Sequence, residues 1–183
     1  MKKVESEDIE QIYSEINKDF NSPSTKIKVD LMYAFNGTGK TRISRIFTEK
    51  QEDKVLCFNS IFQDEFSWVN DSQFLFINNT TWIVRFITEQ GLENAIEDNF
   101  KLFCDDIIEP SIDLENGVIG FSAKTKDGYD YDIKISKAEE SLFIWSIFYT
   151  FVDSMIYELK EEKENRSTDI FDNIKYIVID DPV

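Results

Sequence analysis

The segment Ala34-Phe35-Asn36-Gly37-Thr38-Gly39-Lys40-Thr41 has residue types and spacing suited to holding a phosphate. It fits a P-loop pattern, with alanine where the first glycine usually stands. Such a loop is a tight turn whose backbone N–H groups converge on an anion, and Gly37 and Gly39 permit the angles that turn requires. Lys40 then reaches the β- and γ-phosphates as a point charge, and the Thr41 hydroxyl ligates Mg²⁺. A helix opening at Lys40 adds the positive end of its dipole. A glycine turn carrying a surface lysine is the plain alternative. The strand-like run before the loop and the helical run after it favour phosphate binding.

Tyr176-Ile177-Val178-Ile179-Asp180-Asp181 supplies the complementary chemistry. It has the form of a Walker B strand, an apolar strand that delivers Asp180 beside the Mg²⁺. Asp181 then falls where a water-activating base is needed. Two solvated acids after a core strand would look the same in isolation, and the P-loop in the same chain tips the reading. The spacing of 139 positions from Thr41 to Asp180 leaves room for a sheet and a helical subdomain.

A third segment, Ile135-Ser136-Lys137-Ala138-Glu139-Glu140-Ser141, opens a long helical run. Ser136 followed by Glu139 makes a capping box, which is a complete structural explanation. Its place about forty residues before the Walker B strand is also where ABC-type ATPases carry their signature. There a Ser-x-Gly-Glu helix start faces the γ-phosphate bound by a partner subunit. The candidate signature residues are Ser136, Lys137, Ala138 and Glu139. Ala138 stands in place of glycine, and its methyl group crowds a phosphate approached by bare backbone.

Taken together, residues 29–45, 134–146 and 179–183 resemble the corresponding parts of the PrrC-type anticodon nucleases, in family order and over most of the chain. Members of that family join an N-terminal ABC-type ATPase to a C-terminal ribonuclease that cuts tRNA in the anticodon loop. The ATPase acts as a nucleotide-controlled gate, commonly held silent by a DNA restriction complex. The resemblance implies an α/β P-loop NTPase fold like an ABC-ATPase head, incomplete at its C-terminus. It implies ATP or GTP with Mg²⁺ as ligands. It also implies self-association through such heads, or pairing with a full-length homologue. A glutamine-loop residue is part of the pattern; Gln63 and Gln73 each follow a strand-like run, and Gln63 is preferred. None of the family's nuclease residues maps onto the sequence up to Val183, so the resemblance predicts no tRNA cleavage or direct tRNA binding by this chain.

On this reading the whole chain, 1–183, is a partial ATPase domain. Residues 1–25 form an N-terminal helix, 26–80 the P-loop strands and helix, 81–136 a helical and hairpin region, and 137–183 the signature helix and Walker B strand. The elements follow from periodicity. Ile9, Ile12, Tyr13, Ile16 and Phe20 lie on one helical face, and residues 26–33 alternate as a strand. The run Arg42-Ile43-Ser44-Arg45-Ile46-Phe47 is helical. Residues 55–58 and 74–77 are short apolar strands. Residues 82–90 and 92–107 are helical, with Thr80 or Thr81 as the cap. Residues 118–124 and 129–135 bracket Lys126-Asp127-Gly128 as a hairpin. A helix covers 138–160, a solvated connector 161–167, and a buried strand Tyr176–Ile179. The whole reads as one compact α/β unit.

Composition narrows the function further. With 20 Lys and Arg against 36 Asp and Glu, the net charge is −16, which argues against a nucleic-acid surface spread over the chain. No histidine is present, which excludes histidine catalysis and histidine metal ligands. Cys57 and Cys104 have no C-x-x-C spacing and read as free thiols. Phe62, Phe66, Trp68, Trp82 and Trp145 lack basic neighbours and read as core rather than base-stacking platforms. No secretory signal and no long uninterrupted apolar run is evident, so a cytoplasmic protein without a membrane span is expected. Three functions compete: a nucleotide-binding gate with little or no turnover, a non-enzymatic module that pairs with a homologue, and a RecF- or SMC-like ATPase head on DNA. The last would call for a long heptad insertion, which the sequence lacks.

Overall fold

A computed structural model of the chain describes residues 9–23, 29–32, 39–58, 64–68, 72–104 and 107–180. The fold is mixed α/β and divides into two compact units, where the sequence suggests one. The first takes in residues up to Cys57 together with Asn173–Asp180, and the second runs from Phe58 to Asp172.

The first unit contains helices α1 (Ile9–Asn21) and α2 (Lys40–Gln51), strand β1 (Val55–Phe58) up to Cys57, and strand β7 (Tyr176–Ile179), with β1 and β7 paired. Its interior is aromatic. Phe47 of α2 meets Tyr13, Phe20 and Tyr176 edge-on, with ring centroids 5.8, 6.2 and 5.2 Å away. Polar ties close the rim: Gln51 donates to the Tyr13 hydroxyl at 3.0 Å and to Asn17 at 2.9 Å. Two expectations fail here. Residues 29–32, the described part of the expected strand 26–33, form no strand, and Val29 and Leu31 are exposed. A strand needs a hydrogen-bonded neighbour, and among the described residues none pairs with them. The β7 strand is not buried as expected: Ile177 and Ile179 are exposed.

The second unit is built on an antiparallel sheet in the order β2-β3-β5-β4, with β6 on β5. The strands are β2 (Phe66–Trp68), β3 (Leu75–Ile77), β4 (Ile108–Asp113), β5 (Val118–Thr125) and β6 (Gly128–Asp130). The register of β4 on β5 runs from Ile108 opposite Ala123 to Asp113 opposite Val118. Gly117 makes the turn between them possible. Its φ is +68°, and a side chain there would lie 2.6 Å from the Ile77 carbonyl oxygen. Helices α3 (Trp82–Gln90), α4 (Glu93–Phe103) and α5 (Lys137–Lys160) complete the unit. Phe100, Phe121 and Phe143 join α4, β5 and α5 through edge-on contacts and one tilted one. A second group links Phe86, Phe151 and Phe171 at 5.0 to 5.5 Å.

Several boundaries differ from the sequence reading. The helix expected over 92–107 stops at Phe103, where Cys104 is extended; the acidic pair Asp105-Asp106 beyond it suits the negative end of a helix poorly. The strand expected over 129–135 ends at Asp130, and Asp132 takes a left-handed φ of +54° that breaks the ladder. The strands β2 and β4 have no counterpart in the periodicity. β4 carries Pro110, which weakens its strand signal and suits an edge. Of the aromatic residues read as core, Phe66 is buried but Trp82 is exposed. Phe62 lies outside the described residues. α5 is long and apolar enough to cross a membrane by length and composition. It packs instead as the core helix of its unit, burying Phe143, Ile144, Ile147, Phe148, Phe151 and Met155.

Candidate functional site

The structure describes the last three residues of the P-loop pattern, Gly39, Lys40 and Thr41, at the start of α2. Gly39 sits in the left-handed region at φ 98°, ψ 22°, and α2 begins at Lys40. The Gly39 carbonyl accepts the first helical hydrogen bond, from the Ile43 N–H at 3.0 Å. Gly39 offers no capping side chain, and the first turn holds Lys40, Thr41 and Arg42 with no acid. Helix starts normally carry a capping oxygen or a carboxylate, because unsatisfied N–H groups and the dipole favour negative charge there. A bare glycine followed by two cations reverses that preference, and an anion is what such a start accommodates. Ala34, Phe35, Asn36, Gly37 and Thr38 lie outside the described residues.

Contacts within the first unit locate Asp180. At one end of β7, Tyr176 packs on Phe47. One turn back along α2, Ser44 Oγ lies 4.0 Å from Cys57 Sγ. Burial pushes the Cys57 thiol up; hydrogen bonds with Thr48 and Ser44 oppose this, and the Asp180 carboxylate adds to the rise. β7 therefore lies along α2, with Asp180 near Cys57. A hydroxyl and a carboxylate are hard oxygen donors of the kind Mg²⁺ takes, usually alongside waters and substrate phosphates. No cluster of three or more His, Cys, Asp or Glu residues that could hold a metal unaided occurs among the described residues. Gln63 and Asp181 lie outside the described residues, and Gln73 is exposed in a bend before β3.

The signature candidates lie in the second unit, at the start of α5. Ser136 Oγ accepts from the Glu139 N–H at 3.3 Å, and Glu139 Oε2 accepts from the Ser136 N–H at 2.6 Å. The capping box is thus fully formed. Lys137 and Ala138 are exposed beside it.

Sequence reasoning passed over Glu140 and its partner. Glu140 is buried, and its carboxylate accepts from the Trp68 indole N–H at 2.8 Å and pairs with Lys137 at 2.5 Å. The signal was present: Glu140 precedes Phe143, Ile144 and Ile147 on the core-facing side of the helix, where a charge is costly unless paired.

The fold is that of a mixed α/β protein, and its first unit carries a glycine-led helix start and, at the end of β7, a carboxylate. Its sequence is similar to the anticodon nuclease of Escherichia coli, with 33% identity over 203 aligned positions that take in 95% of this chain and 51% of that protein. The chain thus spans about half the length of the curated relative it matches. No protein-family model matches it. No solved structure matches it either.

Proposed function

We propose that this chain is the nucleotide-binding, regulatory part of a PrrC-like anticodon nuclease, gating tRNA cleavage carried out by residues outside it. One observation carries the proposal: α2 opens on a left-handed glycine, which has no capping side chain, with Lys40 and Thr41 and no acid in its first turn. Similarity to an anticodon nuclease over nearly the whole chain supports the rest. In this reading Lys40 holds the β- and γ-phosphates of ATP or GTP, and the backbone of 34–39 wraps them. Thr41 and Asp180 hold Mg²⁺, with Gln63 completing the shell, and the bound ion neutralises phosphate charge. Asp181 orients water. Turnover is slow or absent, because Ala138 replaces the glycine that a phosphate across a paired head would approach.

Titration calorimetry with Mg-ATP and Mg-GTP tests this directly. Binding that disappears in Lys40→Ala is expected. Absence of heat from both nucleotides, with wild type and variant alike, would overturn the proposal.

A second reading, a non-enzymatic module that pairs with a homologue, draws on the exposed apolar residues of the first unit: Val29, Leu31, Ile177 and Ile179. Light scattering with and without ATP separates the two. A complex that forms regardless of nucleotide favours the module. Control by a DNA restriction complex belongs to the gate reading alone.

A further inference from the structure

We propose that Trp68 is a positioning residue for the first turn of α5, acting through Glu140. Its meaning for nucleotide control rests on the reading of residues 136–139 given above; the tie itself rests on geometry within one unit. Glu140 is only 5% exposed, so its carboxylate is stable there only while both oxygens are satisfied. One oxygen takes the Trp68 indole N–H and the other the Lys137 ammonium. Lys137 itself is 83% exposed, so the buried acid anchors a cation that faces solvent within the signature segment.

Trp68 reaches the same turn from a second direction. The Lys134 ammonium lies over its ring, 5.2 Å from the centroid, two residues before the Ser136 cap. The ring also lies 6.2 Å, centroid to centroid, from Phe121 of the core sheet. The indole therefore touches the chain entering the turn and, through Glu140, the turn itself. Trp68 is the last residue of β2, a three-residue strand whose described pairing is with β3 alone. Loss of the indole donor leaves a buried carboxylate half satisfied. The turn relieves that by swinging Glu140 outward, which carries Lys137 and the capping box with it.

Amide hydrogen exchange on the intact chain tests the tie. Trp68→Phe keeps the ring and removes the donor. It is expected to speed exchange about ten-fold or more over 137–141 and in β2, while the amides of α3 and β5 stay as they were. Glu140→Ala should reproduce this pattern. Glu140→Gln, which keeps an oxygen for the indole, should retain most of the protection. Ile119→Val in β5 serves as the comparison and should loosen the unit evenly. An even rise in Trp68→Phe, or no rise, overturns the proposal, as does a freely exchanging Trp68 indole proton in the unmodified chain. Lys40→Ala calorimetry is independent of these outcomes. Its failure would withdraw the nucleotide reading and leave the exchange pattern to decide the tie.

Discussion

At the residue scale, the site depends on a few side chains whose electrical surroundings differ from what their positions usually receive. Cys57 reports on one of them. Its thiol is held up chiefly by burial, and the Asp180 carboxylate adds to the effect. Removing that charge with Asp180→Asn should lower the thiol's pKa modestly and speed its alkylation by iodoacetamide at mildly alkaline pH. An unchanged rate would mean that Asp180 does not face Cys57. Gly39 makes a second case. Any other residue at φ 98° is strained, although among the described residues a methyl group would meet nothing closer than 3.5 Å. Gly39→Ala should therefore cost about 1 kcal/mol through backbone conformation rather than collision, readable as a shifted denaturant midpoint.

Among the elements, helix ends were the most legible part of the sequence, because capping chemistry is local. Thr81 caps α3 by accepting from the Val84 N–H, and Ser136 with Glu139 forms the expected box at α5. Ser136→Ala should cost about 1 kcal/mol of stability. Thermal melting would show it, and a shift too small to measure would mean that the box is not formed in solution. Strands were harder to read. β2 is three residues long, too short for alternation to show, and β4 hides behind Pro110. Pairing decides such segments, and pairing is not a local property. The same reason explains residues 29–32, whose alternation suggests a strand that no described neighbour completes. At the candidate site, spacing gave the helix start at Lys40 and the strand that ends before Asp180, and both are found. The Trp68–Glu140 bond joins residues 72 positions apart and was not.

For the whole molecule, two units in place of one change what stability means. A chain whose units carry separate cores is expected to unfold in more than one step. Tryptophan emission reports on the second unit, since Trp68, Trp82 and Trp145 all belong to it. Far-ultraviolet dichroism reports on both. Non-coincident denaturation curves from the two probes are expected, and superposition would favour a single cooperative body. Acid should weaken the second unit in particular. Asp172 is held below the ordinary carboxylate range by its bond with Lys163 and by Arg166, Asp113 by Asn116, and Glu109 by Lys124. A carboxylate whose pKa is depressed on folding stabilises the native state above its unfolded pKa. That contribution fades as pH falls through the lower folded value, so the loss begins near pH 4 and continues below it. Asp172→Asn should flatten the acid limb of a melting-temperature profile, and an unaltered limb would remove Asp172 from the account.

The glycine-led, acid-free first turn of α2 sets two properties of this protein against each other. Arg42 is exposed in the helix's first turn. Arg42→Glu would place there the charge that a free helix prefers, and should raise thermal stability by a few tenths of a kcal/mol. If Lys40 binds nucleotide as proposed, the same exchange puts a carboxylate beside the bound phosphates and should weaken nucleotide affinity. An optimiser guided by melting temperature alone would select this change and so erode the site; opposite signs in the two assays would identify the sacrificed stability as functional.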